Sequence, residues 1–204
     1  MGGTLWEEVL NAQEFFGTTE KVYIHWLEVA PSDANKVYAL ASIQYYSQGI
    51  LLRSFDGGDT WSSSNSIVDG HGSCLAVDPY NPLRLYVGTW YRGVYRSTDG
   101  GSTWQAINQG LPTSWAPFMA MAVDPTNSQR VYLGMEGYVY FSGNGGDFWI
   151  QVAGALSAED RVSRIALDPQ DPRNVYAVVG WSGGFRLQGW DPATVEMGEN
   201  HSEE

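Results

Sequence analysis

The chain has 204 residues, with 11 lysines and arginines against 23 aspartates and glutamates, which gives a formal net charge of -12. Its single cysteine excludes an internal disulfide framework and a four-cysteine zinc site. The acidic balance disfavours nucleic acid as a partner, and no run approaches the roughly 18 apolar residues of a membrane-spanning helix, so membrane insertion is not expected either.

The chain opens on a predicted strand at residues 4–11, TLWEEVLN, which resembles STWQAIN at residues 102–108. The start of the chain contains neither the basic nor the apolar region of a signal peptide. The cellular location is therefore left open, and an extracellular one remains compatible with a fragment of a longer precursor.

From residue 27 onwards two sequence elements recur in phase. The first contains an apolar run, a turn with a proline and a tyrosine, and its copies begin at Leu27, Leu75, Met121 and Ile165. The second reads SFDGGDTW, STDGGSTW and SGNGGDFW, and its copies begin 43 and 45 residues apart at Ser54, Ser97 and Ser142. Two elements that repeat together about every 45 residues indicate a repeat architecture.

Each repeat contains four predicted strands, as the second repeat illustrates. An apolar run at residues 73–77 precedes the turn DPYNP, whose prolines block further strand pairing. Residues 85–88 form the second strand, the alternating residues 93–97 the third and residues 103–108 the fourth. Four short strands in about 45 residues are typical of a β-propeller blade, so we predict an all-β fold of four-stranded antiparallel blades.

The repeat predicts a single propeller domain over residues 1–190. Its blades cover about 21–67, 70–112, 114–155 and 156–190, and we expect the strand at 4–11 to complete the last of them, which would pair both terminal edges. Residues 191–204 are expected to form an acidic, disordered tail. Three arrangements stay open: a closed ring of four blades, half of a larger ring completed by a second copy as a homodimer, and a fragment of a longer chain.

The second element is the pattern S-x-D-x-G-x-T-W, known as the Asp-box. Together with the Asp-Pro turns, it makes residues 21–188 resemble the Asp-box (BNR) repeat propellers. That group includes sialidases, xyloglucanase-type glycoside hydrolases, the sortilin luminal domain and photosystem II assembly factors. The resemblance implies a β-propeller, which hosts many functions and so identifies none of them.

The Asp-box residues are predicted to be structural. The serine and aspartate side chains bond the backbone of their own turn, the glycines adopt positive φ, and the tryptophans bury large rings between sheets. One copy has asparagine in place of aspartate, so the box does not require a carboxylate. The residues concerned are Ser54, Asp56, Gly58, Trp61, Ser97, Asp99, Gly101, Trp104, Ser142, Asn144, Gly146 and Trp149.

Three arginines, Arg53, Arg96 and Arg186, occupy equivalent positions in third strands. We expect them to pair across neighbouring blades. The alternative is a basic patch for a protein partner, which the negative net charge disfavours.

The connections on the face opposite the boxes differ from repeat to repeat and are rich in aromatic residues. Variable loops on a rigid scaffold are where binding residues are usually found. We therefore predict that this face binds a protein or a carbohydrate; the alternative is that some of these rings only fill the central channel or pack the loops. The predicted ligand-binding residues are Tyr45, Tyr46, Trp90, Tyr91, Arg92, Trp115 and Trp181.

Catalytic residues are harder to find in the sequence. Glycoside hydrolysis needs two carboxylates about 5–10 Å apart, and the candidates Glu136 and Asp160 have no partner fixed by spacing. The arginine-isoleucine-proline tripeptide of sialidases is absent. His25, His71 and His201 lack the spacing of metal ligands, so no metal or other cofactor is expected. The first hypothesis is a non-catalytic recognition scaffold, and the alternative is a glycoside hydrolase module or a fragment of one.

Overall fold

The computed structural model describes residues 7–43, 49–64, 71–112, 117–153, 161–180, 183–187 and 190–193. Over these residues the main elements are a short helix near the start and four antiparallel sheets. None of the helical segments in these ranges has the length and hydrophobicity needed to cross a membrane.

The first sheet follows the helix α1, Ala12–Phe16, which is capped at both ends. The Asn11 side chain accepts a hydrogen bond from the Glu14 amide, and Gly17 ends the helix with a φ of 60°. The strands of the sheet lie in chain order: β1 Val22–Val29, β2 Val37–Ile43, β3 Gly49–Ser54 and β4 Ser62–Ser63.

The other three sheets have the same meander order. The second contains β5 Gly72–Val77, β6 Leu85–Thr89, β7 Val94–Ser97 and β8 Gln105–Ala106. The third contains β9 Ala120–Asp124, β10 Asn127–Met135, β11 Tyr138–Ser142 and β12 Ile150–Ala153. The fourth contains β13 Val162–Leu167, β14 Val175–Val179 and β15 Gly183–Arg186. The predicted all-β architecture of four-stranded antiparallel sheets is thus confirmed for the first three repeats.

The start of the chain differs from the prediction. Residues 7–11 form no strand, and Leu10 packs with Phe15 and Phe16 of α1 against Ala39 and Leu52 of the first sheet. The expected pairing of residues 4–11 with the last blade is therefore not met over the described residues 7–11, because Leu10 packs on the first sheet instead. Residues 4–6 and residues 194–204 of the predicted tail lie outside the described ranges.

Consecutive sheets pack face to face through apolar side chains. We call the face of each sheet that carries the repeat tyrosine its forward face, and the opposite one its rear face. The forward face of one sheet packs on the rear face of the next, as Tyr38 and Leu40 do against Leu75 and Leu85. The tyrosines Tyr38, Tyr86 and Tyr132 are all fully buried in these layers. Fully burying a side chain such as leucine stabilises a fold by roughly 1.5–3 kcal/mol, so these layers hold the arc of sheets together.

Hydrogen bonds also join one sheet to the next at the Asp-box end. The Tyr38 hydroxyl donates to the Pro82 carbonyl at 2.8 Å, and Arg53 Nη1 donates to the Gly100 carbonyl at 2.9 Å. One repeat later, Arg96 Nη1 donates to the Gly145 carbonyl at 2.8 Å. The predicted pairing across blades is thus confirmed for Arg53 and Arg96.

Candidate functional site

The Asp-box hairpins use their polar side chains internally. Ser97 Oγ accepts from the Gly101 amide at 2.8 Å, and Asp99 Oδ1 accepts from the Ser102 and Thr103 amides, each at 2.9 Å. The Thr103 hydroxyl donates to Asp99 Oδ2 at 2.6 Å, and this bond is the largest cause that lowers the pKa of Asp99 to about 2. The carboxylate therefore supports the turn.

The other two hairpins repeat this arrangement with small changes. Asp56 accepts from the Thr60 hydroxyl and amide, which lowers its pKa to about 2. Asn144 Oδ1 accepts from the Phe148 amide at 3.0 Å, so an amide oxygen serves where the box lacks aspartate. Trp149 is buried and its indole donates to the Ile107 carbonyl at 2.7 Å, while Trp61 and Trp104 are half-buried in the apolar layers.

A row of aromatic rings lies at the opposite end of the first two sheets. We call it the aromatic row and define it as Tyr23, His25, His71, Trp90 and Tyr91. The His25 and His71 ring centroids are 4.5 Å apart, those of His71 and Trp90 are 5.8 Å apart, and those of Trp90 and Tyr91 are 6.1 Å apart. The Tyr23 ring stacks on His25 at 6.2 Å. The row therefore runs without a break from β1 of the first sheet to the β6–β7 connection of the second.

Local structure fixes the positions of these rings. His25 lies at the bulge of β1, and its Nε2 is 2.7 Å from the Ser42 hydroxyl of β2. The Trp90 amide donates to the His71 carbonyl at 3.0 Å, which holds the start of β5 beside the end of β6. The turn that carries Tyr91 closes where the Thr89 hydroxyl accepts from the Arg92 amide at 2.9 Å.

The aromatic row is partly open to solvent, and burial favours the neutral form of its His25. Burial, followed by the charge of His71, lowers the pKa of His25 below its ordinary value of 6.5. Tyr91 and Arg92 are exposed, whereas Trp90 is half-buried. An aromatic surface with a guanidinium at its edge suits a polar ligand that has flat apolar faces.

The structure brings together three of the predicted ligand-binding residues, Trp90, Tyr91 and Arg92. The other four, Tyr45, Tyr46, Trp115 and Trp181, lie outside the described residues. Sequence reasoning missed the contribution of His25 and His71, because it tested histidines only for metal-ligand spacing. The repeat gives no signal of their meeting, because its offset of 48 residues between Leu27 and Leu75 aligns His25 with Ser73 and not with His71.

The catalytic candidate Glu136 lies in an ion pair. It forms an isolated β-bridge with Arg161, and Arg161 Nε is 3.1 Å from Glu136 Oε1. This contact ties the β10–β11 connection to the start of the fourth sheet. The other candidate, Asp160, lies outside the described residues, so a catalytic role for either carboxylate stays a prediction.

A carboxylate that the sequence analysis passed over lies on β1. Glu28 Oε1 accepts from the Trp26 indole at 2.8 Å, and Arg164 Cζ of β13 is 4.2 Å from the centroid of the Trp26 ring. Burial raises the pKa of Glu28, although the Trp26 hydrogen bond and the charge of Arg164 act against that rise. The signal was in the sequence, because Glu28 occupies a position that is alanine in the other three copies of the repeat.

Metal ligands do not cluster in the part of the chain that the structure describes. No group of three or more histidine, cysteine, aspartate or glutamate side chains there has a metal-binding arrangement. The single cysteine, Cys74, is buried, and burial raises the pKa of its thiol to about 12.

The antiparallel sheets, packed face to face in chain order, define the class of the protein as propeller-type. No family model matches the chain. It is similar to a probable oligoxyloglucan-reducing end-specific xyloglucanase of Neosartorya fischeri, 28% identical over 170 residues, which is 73% of this chain and 21% of that protein. A xyloglucanase of Hypocrea jecorina is 30% identical over 61% of this chain and 19% of its own length. The chain thus spans about a fifth of the length of these relatives.

Solved structures give the same class. A GH74 enzyme of Niastella koreensis superposes with a TM-score of 0.66 at 25% identity, covering 76% of this chain and 26% of that one. The GH74 xyloglucanase of Xanthomonas campestris gives a TM-score of 0.65 at 22% identity, over 77% and 27% of the two chains. The propeller protein YCF48 bound to D1 peptide gives 0.60 at 14% identity, over 85% and 53%, which is a likeness of fold alone.

Proposed function

We propose that this chain is a sugar-binding module of a glycoside hydrolase of the xyloglucanase type, and that the aromatic row is its binding surface. The proposal follows the alternative of the sequence analysis rather than its first hypothesis. Similarity in sequence to xyloglucanases over 61–73% of the chain supports this choice. The observation that carries it is the unbroken row of rings from Tyr23 to Tyr91.

The chemistry of the row suits an oligosaccharide. A pyranose ring presents an apolar C–H face that packs on an aromatic ring, and a rim of hydroxyls that need hydrogen-bond partners. The imidazole and indole nitrogens of the row offer hydrogen-bonding groups, and the exposed Arg92 donates. Several rings in line would contact consecutive sugar units, so affinity should rise with oligosaccharide length.

The test is calorimetric titration of the intact chain with xyloglucan oligosaccharides of increasing length. Trp90→Ala removes the largest ring of the row and should weaken binding by roughly 10-fold, which corresponds to about 1.4 kcal/mol. The matched control is Tyr80→Ala, because Tyr80 is a 62% exposed tyrosine of the Asp-Pro turn at the other end of the sheet. Equal affinity of both variants, or no binding by the unchanged chain, would contradict the proposal.

Release of reducing sugar in the same samples tests hydrolysis separately. Binding without release is the result expected of a module that holds the substrate for catalytic residues elsewhere. Turnover that disappears in Glu136→Gln, Asp160→Asn or Glu28→Gln would instead make this chain the enzyme and assign the carboxylate. Retained turnover in all three variants would exclude them.

A further inference from the structure

We propose that the forward face of the fourth sheet binds the rear face of the first sheet of a second copy of this chain. The contact would reproduce the interface that already joins consecutive sheets within the chain. It lies apart from the aromatic row and does not depend on the proposed function.

The forward face of the fourth sheet is exposed where its counterparts are covered. Tyr176 occupies the position of Tyr38, Tyr86 and Tyr132 in the repeat, yet it is 43% exposed while those three are fully buried. On the same face, Val178 and Ala166 are also exposed. The sheet therefore presents an apolar surface of the kind that binds another sheet elsewhere in the molecule.

This face carries the same polar groups as the interfaces between consecutive sheets within the chain, which we call the inner interfaces. Arg186 stands opposite Tyr176 in the strand register, as Arg53 stands opposite Tyr38 and Arg96 opposite Tyr86. Arg53 donates to the Gly100 carbonyl and the Ser102 hydroxyl of the next sheet, and Arg96 contacts the Gly145 carbonyl and Asp147. Arg186 is exposed on the fourth sheet, with the same chemistry available.

The rear face of the first sheet supplies the complement. Leu27 occupies the position of Leu75 in the repeat, and it is 59% exposed whereas Leu75 is fully buried. In the first Asp-box, Gly57 and Asp59 occupy the positions of Gly145 and Asp147, and both are exposed. A guanidinium at residue 186 would therefore meet a carboxylate and a carbonyl, as Arg96 does one repeat earlier.

The position of α1 leaves this surface accessible. Leu10, Phe15 and Phe16 cover Ala39 and Leu52 on the same rear face, so α1 covers part of the first sheet. Leu27, Val29 and the hairpin with Asp59 remain exposed. Val9 lies against Gly58 of that hairpin, and the exposed part that remains is the Asp-Pro end of β1 together with Gly57 and Asp59.

The exposed face of the fourth sheet and the exposed face of the first sheet are complementary, so we infer that a second copy of the chain binds there. Both halves of the interface belong to one sequence. Within one chain the first sheet contacts the fourth through Trp26 and Arg164, and this contact leaves Tyr176 and Val178 exposed. A head-to-tail contact of this kind forms a closed ring when the rotation between copies allows it. Two copies would join eight sheets, which is the homodimer that the sequence analysis left open.

The experiment measures the mass of the intact chain in solution by light scattering and sedimentation over a wide range of concentration. We expect about twice the 22.5 kDa of one chain. Arg186→Asp and Asp59→Arg should each weaken association by roughly 10-fold or more, because each places like charges opposite one another. Mixing the two variants should restore the dimer, because every interface of the mixed pair again joins opposite charges.

The matched control is Arg92→Asp, which reverses an exposed arginine at the other end of the second sheet and should leave association unchanged. A single chain mass at every concentration would overturn the proposal and favour another occupant or closure within one chain. Association that survives both single charge reversals would overturn it as well. The far-ultraviolet spectrum of each variant checks that the sheets are intact.

Discussion

Asp99 shows how one side chain can define a hairpin. It accepts hydrogen bonds from two backbone amides and two hydroxyl groups within its own turn, and the resulting pKa of about 2 lies below its ordinary 3.8. Because the pKa is lower in the folded chain, the ionised form contributes stability that is complete above about pH 4 and is lost as the pH falls through about 2. The same reasoning applies to Asp56.

Asp99→Asn should therefore lower the melting temperature at neutral pH by roughly 2–4 °C. The difference in melting temperature between the variant and the unchanged chain should shrink between pH 4 and pH 2. Protonation of Asp99 in the unchanged chain removes the same negative charge that the substitution removes. Thermal melts at several pH values measure this, with Glu20→Gln as a control at an exposed loop carboxylate. Two melting curves that fall in parallel with pH would contradict the assignment.

At the residue scale, the hydrogen bonds of the box serine and aspartate follow from the sequence because they span at most four residues. Serine, aspartate and glycine at those spacings predict the turn without knowledge of the rest of the fold. The contact between His25 and His71 joins residues 46 positions apart, and strand packing and the β1 bulge bring them together. No local pattern carries that information.

At the element scale, the interface between sheets combines apolar burial with a few directed hydrogen bonds. Arg96→Ala removes the donors to the Gly145 carbonyl and to Asp147, and it should lower the free energy of unfolding by about 1–3 kcal/mol. Urea unfolding measures the change. The control is Arg173→Ala, an exposed arginine paired with Asp171 two residues away, which should leave the free energy of unfolding nearly unchanged because solvent screens this pair. Equal losses would mean that the link across sheets adds nothing.

A connection between sheets gives a second prediction at this scale. Gly110 has a φ of 89°, and a methyl group added there would overlap the Trp149 backbone carbonyl. Gly110→Ala should cost about 1–3 kcal/mol more than Gly183→Ala, which has a φ of 111° but open space around it. Both glycines have positive φ, so the two substitutions strain the backbone in a similar way. The difference between the two variants in the free energy of unfolding, measured in urea, therefore reports the steric overlap at residue 110. A similar loss of stability in Gly110→Ala and Gly183→Ala would contradict the close approach of residue 110 to the Trp149 carbonyl.

The strands of each sheet follow from the sequence because neighbours in the chain pair with one another. Their alternating residues and proline-containing turns mark where each strand stops. The segment at 4–11 resembled a fourth strand, yet its described part packs with α1 on the first sheet. Similarity of a short strand does not specify which sheet edge it joins, because that choice depends on where Leu10, Phe15 and Phe16 bury the most surface.

At the scale of the whole molecule, the outward faces of the first and fourth sheets differ in how far other residues cover them. The first sheet is partly covered by α1, whereas the fourth exposes Tyr176 and Val178. The sequence predicted the repeat but left closure undecided, because identical tyrosines do not reveal which of them has a neighbour. In the structure Tyr176 is exposed, whereas its counterparts Tyr38, Tyr86 and Tyr132 are fully buried.

Because each sheet is made from one continuous stretch of about 45 residues and packs mainly on the sheets before and after it, the arrangement can grow by gene duplication. A duplicated repeat would bring its own turn carbonyl, box and tyrosine, and would fit between two existing sheets without redesign of either face. Deletion of one repeat would likewise leave matching faces to rejoin. Evolution could change the number of sheets in single steps while the aromatic row diverged independently at the other end.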